Sequence, residues 1–334
     1  MRFNDVSSTA SESFNLGWDA LTHMATSDLE QLYVHESVES VIPKEEFVEA
    51  FDDLDIPTEL VSDGEQFTNT DAVVTYVPRP EFLDAGWVHC ARAGYDEFNT
   101  NEYAETGVPL TNSTGIHGAT VGEVAIGYML SFARLLHIYR DHQNETQWYA
   151  PDYERPFTVE NETLCVLGLG TIGTGIASRG AALGMEVVGV RRSDEPVPGV
   201  STIYDPDELH EAIAEARFVA ITLPHTPETD GLFSHEEFEA MDENAYLINV
   251  ARGPIVDEDA LVDALESDEI AGAGLDVFET EPLPEKSSLW ELEEVIISPH
   301  KGSATNRYHL DIAELVKENV RRFLSGEELT NRVA

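Results

Sequence analysis

Residues 165–194 read CVLGLGTIGTGIASRGAALGMEVVGVRRSD. An apolar, β-branched run leads into Gly168-Leu169-Gly170-Thr171-Ile172-Gly173, a helix-compatible segment follows, and a second apolar run begins at Glu186. Strand, glycine turn, helix and strand in that order make a parallel βαβ unit whose turn can lay backbone N–H groups against phosphate. Gly168 suits the tight turn, Gly170 lets a pyrophosphate approach the backbone, and Gly173 lets the helix pack closely on the strand. Glycines at this spacing also mark ordinary turns. The flanking strand and helix are what make this one a nucleotide-binding turn.

The end of the second strand carries an anomaly. A carboxylate there would accept hydrogen bonds from both ribose hydroxyls and would repel a 2′-phosphate. The chain places Arg191, Arg192 and Ser193 at that edge instead. A guanidinium grips phosphate through two parallel, charge-assisted bonds. The arginines therefore point to NADP(H) over NAD(H), with NAD(H) use still open. The competing account is that they balance Asp194 and Glu195 as a surface ion pair.

Such cations are scarce here. The chain has 64 Asp and Glu against 19 Lys and Arg, a formal net charge of −45. The acids are scattered, often on helix faces such as DPDELHEAIAEA, so they form a solvated surface rather than a disordered tail. That surface repels itself in dilute buffer and is screened in molar salt, which suggests a salt-rich cytoplasm. Nucleic acid and anionic membrane carry the same sign and are unsuited as partners. No apolar run has the length of a membrane span, and no leader is evident, so a cytoplasmic protein is expected. Cys90 and Cys165 sit in apolar, strand-like runs and read as free buried thiols.

Along the chain, the first thirty or so residues are rich in Ser, Thr and acids and resist placement. Strand-like QLYVHESV, DAVVTYV and WVHCARAG then alternate with helical PKEEFVEAFDDL, as in a parallel sheet with crossover helices. Apolar residues at helical spacing (Val121, Val124, Ala125, Tyr128, Met129, Phe132) predict one long helix from His117 to Arg140. A second α/β unit begins at Thr163, with strands expected in LCVLGLG, EVVGVRR, RFVAITLP, AYLINVA, AGAGLDVF and EVIISPH. A last helix is expected from Thr305 to Leu324, ending at Gly326. Because the glycine turn lies mid-chain, the nucleotide domain reads as inserted in another domain that the last helix completes.

Three downstream segments carry chemistry. Arg252 follows an apolar strand in AYLINVARGPIVDEDAL; Asp276, Glu279 and Glu281 lie in GAGLDVFETEPLP; His300 ends a strand in VIISPHKGSAT. Parallel strands open their C-terminal ends onto one edge, so these residues can converge. Each alone has a plainer account: an arginine pairing a surface acid, a solvated glutamate, a loop histidine. Together, in order and behind a nucleotide turn, they resemble the catalytic segments of the D-isomer-specific 2-hydroxyacid dehydrogenases, a resemblance that implies reduction of a 2-oxo acid. Arg252 would hold the carboxylate and polarise the ketone, and His300 would move the proton. A carboxylate on the other imidazole nitrogen would favour the protonated form.

These segments, with LPHTPETDGLF and the glycine turn, resemble the D-isomer-specific 2-hydroxyacid dehydrogenases over nearly the whole chain from about residue 35. The resemblance implies two doubly wound parallel-sheet α/β domains. A flavodoxin-like substrate domain would comprise residues 1–115 and 302–334, and a Rossmann dinucleotide-binding domain 116–301. It implies Arg252, Glu281 and His300 as the catalytic set, favouring Glu281 over its neighbour Glu279. Asp276 would bond the nicotinamide amide. The remaining cofactor contacts implied are Leu223, Pro224, Thr229, Val250, Ala251, His300 and Gly302, beside the glycine-turn and arginine positions. In CARAGYDEFNT, Ala93 and Gly94 match the loop whose backbone binds the substrate carboxylate, and Tyr76 would shape the side-chain pocket. Lys301 departs from the apolar residue usual after the histidine. No metal is expected, and a homodimer is. A formate dehydrogenase lacks the glutamate, so Glu281 argues against one. A glyoxylate or hydroxypyruvate reductase, and a dinucleotide-sensing, corepressor-like binding protein, remain the alternatives.

Overall fold

The computed structural model describes residues 28–334, so the segment that resisted placement lies almost wholly outside the described residues. Backbone contacts divide the chain into two units. The first contains the described residues up to Cys90, with Asp96–Thr111 and Ala313–Ala334; the second contains Ala91–Tyr95 and Asn112–Ile312. The divisions after Thr111 and Ile312 fall some residues away from the expected 115 and 301, and Ala91–Tyr95 joins the second unit.

In the first unit, β1 (Gln31–His35), β2 (Thr58–Val61), β3 (Asp71–Thr75), β4 (Trp87–Cys90) and β5 (Leu110–Asn112) form one sheet in the order β2-β1-β3-β4-β5, the flavodoxin-like order. The β1–β2, β1–β3 and β3–β4 pairs are parallel. Helices α1 (Lys44–Glu49) and α2 (Thr100–Thr106) are crossovers. All five β3 residues are buried, as expected of a strand covered on both faces. On one face, Val73, Val88, Cys90 and Leu110 pack with Phe82 and Tyr103. On the other, Trp87 stacks on Phe323 at 6.4 Å, which ties in the C-terminal helix. Its indole N–H donates to the Thr111 hydroxyl at 2.8 Å, so the buried ring leaves no polar atom unpaired.

The second unit opens with α3 (Gly118–Arg134) and α4 (Leu136–Asn144). Here the expected single helix from His117 to Arg140 is corrected, because the two helices meet at a 72° bend. Leu135 sits in the left-handed region at φ 55°, which ends α3; its N–H bonds the Phe132 and Ser131 carbonyls. Such a conformation costs a leucine on the order of 1 kcal/mol, and burial of its side chain offsets that cost. No residue in the α3 sequence signals the break. Neither helix alone is long and apolar enough to cross a membrane among the described residues.

The larger sheet comprises β6 (Thr163–Leu167), β7 (Glu186–Val190), β8 (Thr202–Tyr204), β9 (Phe218–Ile221), β10 (Tyr246–Asn249), β11 (Gly272–Leu275) and β12 (Val295–Ile297), in the order β12-β11-β10-β9-β6-β7-β8. Every pair is parallel. The order reverses beside β6, the strand that feeds the glycine turn, which is where such sheets bind ligands. Between the strands lie α5 (Thr171–Ala182), α6 (Leu209–Ile213), α7 (His235–Ala240) and α8 (Glu258–Glu266), and α9 (Tyr308–Ser325) closes the chain. Side chains alternate between two cores. Cys165, Leu167, Val219, Ile221 and Leu247 face α7 and α8, while Leu164, Val166, Phe218, Ala220 and Ile248 face α3 and α5. Both cysteines are buried thiols outside any disulfide, as expected. Burial pushes the Cys165 thiol up to about 12, so it is chemically inert.

Candidate active site

The glycine turn is built as its spacing requires. Gly168 has φ 89° directly after β6. A Cβ on Gly173 would lie 1.9 Å from the Gly168 carbonyl, so only glycine lets α5 start this close to the strand. The Thr222 hydroxyl donates to the Gly168 carbonyl at 2.6 Å and fastens the turn to the end of β9. Around Gly170 there is nothing within 4 Å of a hypothetical Cβ, and no side chain caps α5. The first N–H groups of α5, at Thr171, Ile172 and Gly173, have no side-chain cap among the described residues, which suits a pyrophosphate.

Beside the turn lies a cavity of about 530 Å³, lined among others by Gly168, Arg191, Arg192, Leu223, Pro224 and Thr229. Its wall is largely apolar, as an adenine ring requires. The Thr229 hydroxyl donates to the Pro224 carbonyl at 2.7 Å and shapes this wall. Arg191 is 3.8 Å from the Glu195 carboxylate, a single loose ion pair. Arg192 is exposed. The Glu228 carboxyl is lowered first by the Thr226 hydroxyl and last by Arg192. Ser193 accepts from the Glu195 N–H. Both accounts of the arginines therefore find partners: a cavity that they line, and acids that they balance.

The edge that carries Arg252, Asp276 and His300 follows from register. Asn249 on β10 pairs with Leu275 on β11, and Leu275 pairs with Ile297 on β12. Arg252, Asp276 and His300 follow these three residues and so share one edge of the sheet. The Asn249 side chain folds the Arg252 loop, accepting from the Ala251 N–H and donating to the Arg252 carbonyl. Val250 and Ala251 are buried beneath it. The Arg252 guanidinium donates to the Ala251 carbonyl at 2.7 Å. A Cβ on Gly253 would meet Phe278 backbone at 1.8 Å, so the Arg252 loop lies directly on the loop that carries Glu281.

The histidine has the expected partner. His300 Nδ1 lies 2.7 Å from Glu281 Oε2, and the other carboxylate oxygen accepts from the Phe278 N–H at 3.1 Å. A carboxylate partner makes Nδ1 the protonated nitrogen, which leaves Nε2 for a substrate. The His300 side chain is 47% exposed, so it is accessible to one. Glu279 points elsewhere: its N–H donates to Glu258 at 2.6 Å, and its carboxylate accepts from the Glu258 N–H. The geometry thus selects Glu281 over Glu279.

Asp276 is 3% exposed, and its carboxylate accepts three hydrogen bonds. The Lys301 N–H donates at 2.9 Å, the Gly302 N–H at 2.8 Å, and the Ser298 hydroxyl also donates. It therefore anchors the 298–302 loop, in which His300 holds φ 52°. Lys301 takes part through its backbone, and its side chain is exposed. Ala93 and Gly94 belong to this same unit, and the Ala93 carbonyl accepts from Asn112 at 2.7 Å. Tyr76 follows β3 in the other unit, where its N–H donates to Ser37. Sequence reasoning passed over Thr222, Glu258 and Ser298. Ser298 and Glu258 stand inside motifs that were read for other residues, and nothing local marks Thr222.

A family model for the D-isomer specific 2-hydroxyacid dehydrogenase NAD binding domain matches residues 126–302. A glyoxylate reductase of Korarchaeum cryptofilum (strain OPF8) is 35% identical over 247 residues, 72% of this chain and 73% of its own. Among solved structures, a D-isomer specific 2-hydroxyacid dehydrogenase from Xanthobacter autotrophicus Py2, in complex with NADPH and MES, superposes with a TM-score of 0.76 and 29% identity, covering 92% of this chain and 98% of its own. An NADPH-dependent glyoxylate/hydroxypyruvate reductase from Sinorhizobium meliloti, in complex with NADP and sulfate, also has a TM-score of 0.76, with 25% identity over 91% of this chain and 98% of its own. The chain belongs to the D-isomer-specific 2-hydroxyacid dehydrogenases, a family of NAD(P)-dependent oxidoreductases.

Proposed function

We propose that this protein reduces small 2-oxo acids of the glyoxylate and hydroxypyruvate type to 2-hydroxy acids of D configuration where a stereocentre forms, using NADPH in preference to NADH. The observation that carries this reading is the His300–Glu281 pair at 2.7 Å on the strand edge that also bears Arg252. When bound, the reduced nicotinamide supplies the hydride. Arg252 binds the substrate carboxylate and draws charge from the adjacent carbonyl. The backbone of Ala93 and Gly94 holds the carboxylate's other side, and Tyr76 limits the substituent. His300 gives the Nε2 proton to the forming alkoxide, while Glu281 holds Nδ1–H and so fixes the ring. In the reverse direction the neutral imidazole takes that proton back. Residues 116–301 serve the nucleotide, and residues 1–115 with 302–334 serve the substrate.

The NADPH preference is supported by Arg191, Arg192 and Ser193 at the end of β7, and by relatives crystallised with NADPH or NADP. Glu195 and Glu228 compete for the same arginines, so NADH remains a usable, weaker donor. The same reading has the protein working as a homodimer in a salt-rich cytoplasm, with neither nucleic acid nor membrane as partner. The net charge of −45 supports the setting. Trp148 and Tyr153, 100% and 96% exposed after α4, support a second copy.

Rates with NADPH and NADH on glyoxylate, hydroxypyruvate and pyruvate, in molar KCl, test the proposal. We expect kcat/KM at least about tenfold higher with NADPH, the worth of one charge-assisted phosphate contact. Equal rates with NADH would remove the arginine argument. NADPH that binds and is never consumed would favour a redox sensor.

A further inference from the structure

Helix α3 touches the site at two places. At its start, a Cβ on Gly118 would lie 2.7 Å from the Thr171 carbonyl, and one on Gly175 only 2.0 Å from the Gly118 carbonyl, so α3 lies directly against the N-terminal turn of α5. Roughly 15 Å further along the axis stands Tyr128. Its ring covers the strand β11, where a Cβ on Gly274 would meet it at 2.7 Å. Its hydroxyl bonds the Ser298 hydroxyl, with the Leu275 carbonyl as a longer second partner at 3.4 Å. Ser298 spends its own proton on Asp276, so the Tyr128 O–H is the donor to Ser298. Asp276 in turn holds the Lys301 and Gly302 N–H groups on either side of their bond, immediately after His300.

We infer that Tyr128 is a positioning residue: through Ser298 and Asp276 it sets the loop that aims His300, and so joins the phosphate turn and the proton donor to one rigid helix. The tyrosine is 6% exposed and its hydroxyl bonds Ser298 and Leu275, so it acts through the loop. The chain of bonds explains how a non-glycine residue keeps φ 52° at His300, a conformation that persists only where surrounding contacts over-determine it. The phenyl ring alone would fill the space over Gly274; the hydroxyl is what reaches the loop.

This inference rests on the proposed reduction and is tested by Tyr128→Phe, which keeps the ring. The single-turnover rate of NADPH oxidation with saturating glyoxylate should fall about three- to tenfold, the usual worth of one hydrogen bond. NADPH affinity, read by fluorescence, should stay within about twofold. Amide exchange in residues 298–302 should quicken by a similar factor, a readout that needs no turnover. Tyr128→Phe combined with Ser298→Ala should be no slower than Ser298→Ala alone, because both act through one chain. Wild-type exchange and rate in Tyr128→Phe would overturn the assignment, as would losses that multiply in the double variant. An inactive wild-type protein would sink the proposed reaction instead, and the exchange measurement would still judge the tyrosine.

Discussion

His300 shows how much a single position carries. Its backbone lies in the left-handed region, its Nδ1 is held by Glu281, and its side chain is partly exposed. His300→Ala should lower turnover of 2-oxo acid reduction by about 10²- to 10⁴-fold, the usual worth of a positioned proton donor. NADPH binding should survive, and steady-state rates beside a fluorescence titration separate the two. Retention of near-wild-type turnover would take the histidine out of the mechanism. The histidine was legible in the sequence, because a strand-end histidine and an upstream acid cluster have few other joint uses. Which acid it meets was not legible from the residues themselves. Glu279 and Glu281 are two positions apart, and only the reciprocal bonds between Glu279 and Glu258 take the first out of contention. Asp276 was read for the nicotinamide; its grip on Ser298, Lys301 and Gly302 depends on β11 and β12 lying side by side.

At the level of elements, the crossing of α3 and α5 is governed by glycines whose neighbours are backbone. A Cβ on Gly175 would come 2.0 Å from the Gly118 carbonyl, with no flexible side chain to give way. Gly175→Ala should therefore destabilise by about 1–3 kcal/mol, the range for overpacking, and weaken NADPH binding by displacing the phosphate turn. Gly127→Ala on α3 is the matched control: nothing lies within 4 Å of its Cβ, and alanine favours a helix interior by about 1 kcal/mol. Thermal midpoints should move in opposite directions, and a Gly175→Ala protein as stable as the parent would contradict the packing account. The strands were legible because each is a short apolar run ended by turn residues. The edge strands β2, β5 and β8 escaped notice because Thr58–Val61, Leu110–Asn112 and Thr202–Tyr204 are short and partly polar. The bend at Leu135 escaped because nothing but burial makes a leucine accept φ 55°.

For the whole molecule, charge is the dominant variable. A net charge of −45 stores repulsion that reaches about 10 Å in 0.1 M salt and about 3 Å in 1 M. The thermal midpoint should climb from 0.1 to 3 M KCl, by about 2–4 °C for each kcal/mol of repulsion screened. Sedimentation over the same series should show two copies associating as salt rises, through a surface that includes Trp148 and Tyr153. A midpoint indifferent to salt would dismiss the salt-rich setting, and a monomer throughout would dismiss the dimer.

The amino-acid sequence by itself determined two parallel sheets, the glycine turn after β6, and the set of residues at one strand edge. Those properties follow from local patterns: continuous apolar runs that bury both faces of a strand, and glycines where side chains would collide. The tertiary structure decided how Glu281 holds His300 while Glu279 turns to Glu258, where the long helix breaks, and how Tyr128 reaches the loop beyond β12. These outcomes join segments far apart in the chain, so their energies depend on neighbours that no local window contains.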